Sequence, residues 1–258
     1  MKKVVFAAAA ACLLWAGSAD AKVNLRFAYA SNATPTKEAM AKFGEYLKEK
    51  TNGEVTVTYF PDSQLGGERE LVEMVQSGAL DMTKVSGGLL ESFADVYGVF
   101  SMPYLFDSTE HYYKVMDDPE IMGPIYNATE GVGFVGLTYY NSGARSFYTT
   151  KQPINSVADL KGLKIRVVGS PLYNDIFTAL GANPTQMSWA DAKPALSTKA
   201  VDGQENPITV FKIAKMTTVG QMYMTRWDYV ADPLIFAVNP RVWKEFTPED
   251  QKILTEAA

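Results

Sequence analysis

The chain has 258 residues, 47% hydrophobic and 21% charged, proportions that belong to a globular protein with a sizeable core and exclude a disordered or fibrous one. Its net charge of −5 argues against nucleic acid or an anionic membrane surface as the main partner. A single Cys (Cys12) and a single His (His111) exclude an internal disulfide framework and a Cys-ligated or multi-His zinc site, and leave a Ser-His-Asp triad only one candidate base.

The N-terminal segment has the order of a secretory signal peptide. Lys2 and Lys3 precede an apolar run over residues 4–15, and small residues follow up to Ala19-Asp20-Ala21, which predicts cleavage after Ala21 and export to the periplasm. The run is shorter than the roughly 20 residues a spanning helix needs. Removal of residues 1–21 leaves 22 basic and 28 acidic residues in a cysteine-free chain, stabilised by its core alone.

Extended and helical patterns then alternate. Leu25, Phe27 and Tyr29 recur with period two, and Ala39, Met40, Phe43 and Leu47 with helical spacing, until Asn52-Gly53 stops the helix. Val55, Val57 and Tyr59 resume the strand period. A helix opens at Gly66-Gly67-Glu68, buries Leu71, Met74 and Val75, and ends at Gly78; a short strand follows over residues 80–85. This βαβ order predicts an α/β fold with a mainly parallel sheet. Residues 92–140 are rich in aromatics and broken by prolines and glycines, which predicts short helices and turns leading into a strand over 134–140 and a turn at Asn141-Ser142-Gly143. A second alternation follows: a strand over 163–168, a helix over 171–180 capped by Ser170 and stopped by Gly181, a helix over 188–199 with Ser188 and Asp191 spaced as a capping box, and a strand over 234–238. Two α/β units with an irregular bridge predict two lobes and a cleft.

Two arginines stand where a charge needs a reason. Arg166 lies inside Leu163-Lys164-Ile165-Arg166-Val167-Val168, a strand of the kind that is almost wholly apolar when a parallel sheet is covered. Either it sits at a strand end, solvated or paired to an acidic neighbour, or its planar fork receives a carboxylate. Arg145 follows the Asn141-Ser142-Gly143 turn, at the strand ends where open α/β sheets bind ligands; alone it also reads as a surface residue. Trp189 at a helix start could wall a sugar face or fill a core, and Asn206 could bond a carboxylate or hydroxyl or serve a turn. Met222-Tyr223-Met224 reads as core. His111 has no catalytic partner in sequence, and no nucleophile elbow or phosphate loop is present, so the residues predict no enzyme, no cofactor and no metal.

Four motifs in fixed order carry a resemblance: Ser63-Gln64-Leu65-Gly66-Gly67-Glu68-Arg69-Glu70-Leu71, then Gly78-Ala79-Leu80-Asp81-Met82, then Ala158-Asp159-Leu160-Lys161-Gly162-Leu163-Lys164-Ile165-Arg166-Val167, then Val201-Asp202-Gly203-Gln204-Glu205-Asn206-Pro207. The chain resembles the solute receptors of tripartite ATP-independent periplasmic (TRAP) transporters, the C4-dicarboxylate-type binding proteins. The resemblance implies a two-lobed, type II-like periplasmic binding protein with a central ligand cleft, lobe I over residues 22–143 and about 230–258 and lobe II over 144–229. It implies that Arg166 makes the bidentate bond to a ligand carboxylate, that Arg145 and Asn206 support it, and that Trp189 forms an aromatic wall. Asn32, Glu68 and Ser86 are the first-lobe candidates, by position, for the rest of the ligand. The chain departs from the family pattern at Val168, where Pro is common, and at Ala190-Asp191-Ala192-Lys193. The sequence stops short of the family's usual length, which the resemblance implies would leave out the rest of a long C-terminal helix bracing both lobes, and a fragment of residues 22–258 is expected to be less stable than a full receptor.

The implied function is that of a monomeric periplasmic receptor that captures a small organic acid, a sugar acid or a C4 dicarboxylate, and delivers it to the membrane permease, with no nucleic acid involved. The alternatives are a secreted hydrolase or lyase using the same cleft, for which Glu68, Asp191 or His111 would have to supply acid or base, and a binding protein that partners a sensor.

Overall fold

The computed structural model describes residues 22–31 and 34–258. Asn32 and the predicted signal segment lie outside the described residues. The first half of the chain follows the expected alternation: β1 (Val23–Tyr29), α1 (Thr34–Lys50), β2 (Val55–Phe60), α2 (Glu68–Ser77) and β3 (Met82–Ser86). Asn52 and Gly53 take left-handed φ values of 52° and 83° after α1, and Gly78 (φ 79°) ends α2, as their positions in sequence predict. The aromatic bridge forms α3 (Gly87–Leu90), α4 (Thr109–Met116) and α5 (Pro119–Asn127) with short 3-10 turns between them.

The central strands depart from the expectation. Two long strands, β4 (Val135–Thr149) and, later in the chain, β8 (Tyr223–Val238), run antiparallel to each other through the middle of one eight-stranded sheet. Between them in sequence come β5 (Lys164–Val167), α6 (Pro171–Ala179), β6 (Asn183–Gln186), α7 (Trp189–Ser197), β7 (Gly203–Pro207) and α8 (Ile208–Ile213); α9 (Pro240–Glu245) and α10 (Pro248–Ala257) follow β8. The sheet order is β2-β1-β3-β8-β4-β7-β5-β6. The outer pairs, β1 with β2 and β3 and β5 with β6 and β7, are parallel, whereas β3–β8, β8–β4 and β4–β7 are antiparallel, so the sheet is mixed rather than mainly parallel. The predicted turn at Asn141-Ser142-Gly143 is instead a bulge inside β4: the register against β8 shifts between Asn141 and Ala144 and again between Arg145 and Phe147, with Gly143 at φ 105°. A bulge and a turn share the same glycine signal, so local sequence does not separate them.

The two ends of β4 and β8 serve different halves. Near its C-terminus β8 pairs with β3 (Leu234↔Ser86), and near its own C-terminus β4 pairs with β7 (Arg145↔Pro207). One apolar cluster packs Phe27, Met40, Phe43, Leu47 and Phe236 between β1, α1 and β8; another runs from Leu71 and Val75 through Tyr97 and Phe147 to Ile165 and Phe177. Met222, Tyr223 and Met224 are exposed and do not join either core. Behind the sheet, Glu91 next to α3 reaches the start of α6: its carboxylate accepts from the Ser170 hydroxyl (2.5 Å) and the Leu172 amide (3.1 Å), satisfying N-terminal donors of a helix in the other half.

Candidate ligand cleft

A cavity of about 690 Å³ opens at the C-terminal ends of β1, β3 and β5, between the two halves of the sheet. Of the seven residues that sequence singled out for the ligand, six line it: Arg166, Arg145, Asn206, Trp189, Glu68 and Ser86. The seventh, Asn32, lies outside the described residues, although the neighbouring Ser31 lines the cavity.

Arg166, in β5, is only 3% exposed and makes no ion pair among the described residues. Its Nε and one terminal nitrogen donate to the Met187 carbonyl oxygen at 3.1 and 2.9 Å, and its guanidinium lies 5.9 Å from the Trp189 ring centre. Burial pulls its pKa down to about 10, and the distant carboxylates of Glu205, Glu68 and Asp232 offset this only in part, with Arg145 adding a like charge. A guanidinium held this way is a cation short of a counter-ion. The strand-end reading, in which Arg166 is solvated or paired, does not describe this geometry.

Arg145 is equally buried but fully engaged. Its Nε and a terminal nitrogen hold both oxygens of Glu205, and the other terminal nitrogen donates to Asp232 at 2.8 Å. Burial opposes its charge, yet Glu205 and Asp232 outweigh the penalty and raise its pKa. It is therefore neither a surface residue nor a free anion hook; two carboxylates already occupy most of its donors. Asn206 sits in β7 rather than in a turn, 6% exposed, and donates to Gln204 at 2.5 Å.

Trp189 opens α7, where Ser188 caps by accepting from the Asp191 amide (3.2 Å). Asp191 takes its return bond from the Ser188 hydroxyl rather than from the backbone, half of a capping box. Across the cleft, Glu68 is the first residue of α2. Burial raises its pKa despite Lys84, a bond from the Ser86 backbone and Arg166, with Asp232 also pushing it up. The Ser86 hydroxyl donates to Asp232 at 2.9 Å, so Glu68, Ser86 and Asp232 form one polar wall facing Arg166.

Asp232, Glu205 and Lys84 were not singled out in sequence. Each is a charge within an apolar or motif strand, the signal that marked Arg166, and the same argument applied to residues 80–85 and 230–238 would have found Lys84 and Asp232. His111 is on α4 beside Asp107 (3.5 Å), outside the cavity lining. Among the described residues no cluster of His, Cys, Asp and Glu could hold a metal, and no helix is long and apolar enough to cross a membrane.

The family model for bacterial extracellular solute-binding protein family 7, DctP, matches residues 27–258. The chain belongs to this family of TRAP solute-binding proteins. YiiZ of Salmonella typhimurium is 46% identical over 233 residues, covering 90% of this chain and 71% of that one. The 2,3-diketo-L-gulonate-binding periplasmic protein YiaO of Escherichia coli is 33% identical, covering 93% and 73%. A TRAP periplasmic solute-binding protein from Anaerococcus prevotii, solved with bound D-glucuronate, superposes with a TM-score of 0.87 at 34% identity, covering 91% and 76% of the two chains. As a family 7 protein the chain has the two-lobed binding-protein fold, and the family is one of periplasmic, substrate-binding proteins.

Proposed function

We propose that this protein is a TRAP receptor that captures a singly charged sugar acid and delivers it to the membrane permease. The observation that carries the reading is Arg166: a buried guanidinium fork with no carboxylate partner among the described residues, on the wall of a cavity of ligand size. The ligand carboxylate takes the place of the missing counter-ion. Arg145 acts behind it, holding Glu205 and Asp232 and tying β4 to β7 and β8, rather than gripping the ligand itself. Trp189 offers a flat face to a sugar ring or carbon chain.

The opposite wall supports one of the two acid classes left open by sequence. Glu68 and Asp232 accept hydrogen bonds, which suits hydroxyl groups and repels a second carboxylate. Glucuronate in the A. prevotii protein and the diketogulonate specificity of YiaO support the same class. The lobe boundaries near residues 143 and 230 fit this function, since the β4 bulge between Asn141 and Ala144 gives the crossing strands a natural bend. Export with cleavage after Ala21, and a monomeric state, belong to the same proposal. The relatives and structural neighbours are named as binding proteins, which favours binding over hydrolysis or elimination.

Titration calorimetry of the mature chain with D-glucuronate, D-galacturonate, D-galactonate and succinate tests the reading. Tight binding of at least one sugar acid and weak binding of succinate are expected. Binding of succinate alone would overturn the choice of class, and turnover of the acid would overturn the receptor.

A further inference from the structure

Beside the cleft lies a second buried cation without a hydrogen-bonded partner among the described residues. Lys84, in β3, is 2% exposed and makes no hydrogen bond or ion pair among the described residues. Its ammonium rests 5.4 Å from the centre of the Tyr29 ring, its register neighbour on β1. Glu68 on α2 and Asp232 on β8 both act on it electrostatically, but neither closes to ion-pair distance. A lysine that served only the fold would be expected to close on one of these carboxylates, because a buried ammonium with three unsatisfied donors is expensive. Burial accordingly draws its pKa down to about 8.

Its position gives the reason. Lys84 shares a strand face with Ser86, two residues on, and Ser86 lines the cavity. The amine is not itself a lining residue, but two residues that are, Glu68 and Asp232, act on it electrostatically, and a third, Ser86, shares its strand face.

We propose that Lys84 is a specificity-determining residue of the cleft, whose ammonium donates to an uncharged oxygen, hydroxyl or carbonyl, on the tail of the acid held by Arg166. The inference rests on the receptor reading above and adds the group that reads the end of the ligand away from its carboxylate. Glu68 and Asp232 both act on Lys84, so a second carboxylate arriving at the amine would meet two like charges, while a neutral oxygen gains a charged donor.

Lys84→Met keeps the length of the side chain and removes the donor, and the test compares it with wild type and Arg166→Ala. Without ligand, Lys84→Met is expected to melt about 2–4 °C higher, because an unsatisfied buried charge has gone. Its affinity for D-glucuronate or D-galacturonate is expected to fall about tenfold or more, the loss of one charge-assisted bond. Its affinity for glycolate, which has almost no tail, should change little, so discrimination between the two acids collapses. Should Lys84→Met fail to fold, Lys84→Gln, which retains a neutral donor, is expected to show a smaller loss in the same direction, and no loss would overturn the proposal. Wild-type uronate affinity in Lys84→Met, or a lower melting temperature without ligand, would also overturn it. If wild type binds none of these acids, the receptor reading itself fails and this inference falls with it; loss in Arg166→Ala but not in Lys84→Met would remove Lys84 alone.

Discussion

Arg166 directs two of its N–H groups, at 3.1 and 2.9 Å, onto a single acceptor, the carbonyl of Met187. That bond fixes the plane of the guanidinium without neutralising its charge, which leaves the fork set for an anion before any anion arrives. Arg166→Ala is expected to weaken sugar-acid binding by at least about 2 kcal/mol. Calorimetry at constant pH measures it, and near-normal affinity would contradict the assignment. The ligand-free fold should be little affected, since no ion pair is lost.

Arg145 predicts the opposite balance. Its removal strands Glu205 and Asp232 as buried carboxylates, with exposures of 0% and 3%. Arg145→Ala is expected to cost about 3–5 kcal/mol of folding stability, the range for breaking a buried pair from one side. Urea unfolding of the two alanine variants side by side should show a large loss for Arg145 and a small one for Arg166; equal losses would refute the division of labour.

Gly67, just before α2, lies against Ser188 across the cleft. A β-carbon on Gly67 would stand 3.0 Å from that of Ser188 and 2.9 Å from a Glu70 carboxylate oxygen. Gly67→Val is therefore expected to hold the lobes apart, weakening ligand binding with little change in melting temperature. Small-angle scattering with saturating ligand would show a larger radius than wild type, and an unchanged radius would refute the contact as a limit on closure.

Lys84 gives a pH dependence whose sign follows from its lowered pKa. Its charge is disfavoured in the folded protein, so the penalty is fully present below about pH 8 and is relieved as pH rises from there towards 10.5, its ordinary value. Relative to Lys84→Met, wild type should gain stability across that window. Denaturant melts of both proteins at pH 7 and pH 10 give the difference, and a gap that does not narrow would show that the amine is not penalised by burial.

The helix and strand order of the first half was legible because βαβ periodicity and glycine stops at Asn52-Gly53 and Gly78 act locally. So was Arg166, since a charge in an otherwise apolar strand is a local contradiction. The long strands were not. Only 134–140 and 234–238 are apolar enough to read as strand, whereas β4 is bulged beyond Tyr140 and the far end of β8 is partly exposed, with Tyr223 and Met224 facing solvent. β6 and β7 were missed for a related reason: Asn183–Gln186 and Gly203–Pro207 have weak strand propensity and are held by pairing with β5.

The sequence by itself determined the family, the α/β order of the first half and six of the residues that line the cleft, because composition, period and motif order reside in the chain. Tertiary structure alone decided which of two arginines is free. The sequence puts both Arg145 and Arg166 on the ligand, but β4 carries one into contact with Glu205 and Asp232, whereas β5 leaves the other beside a carbonyl and a tryptophan ring. Charge compensation depends on distances across strands far apart in the chain, and only folding sets those distances.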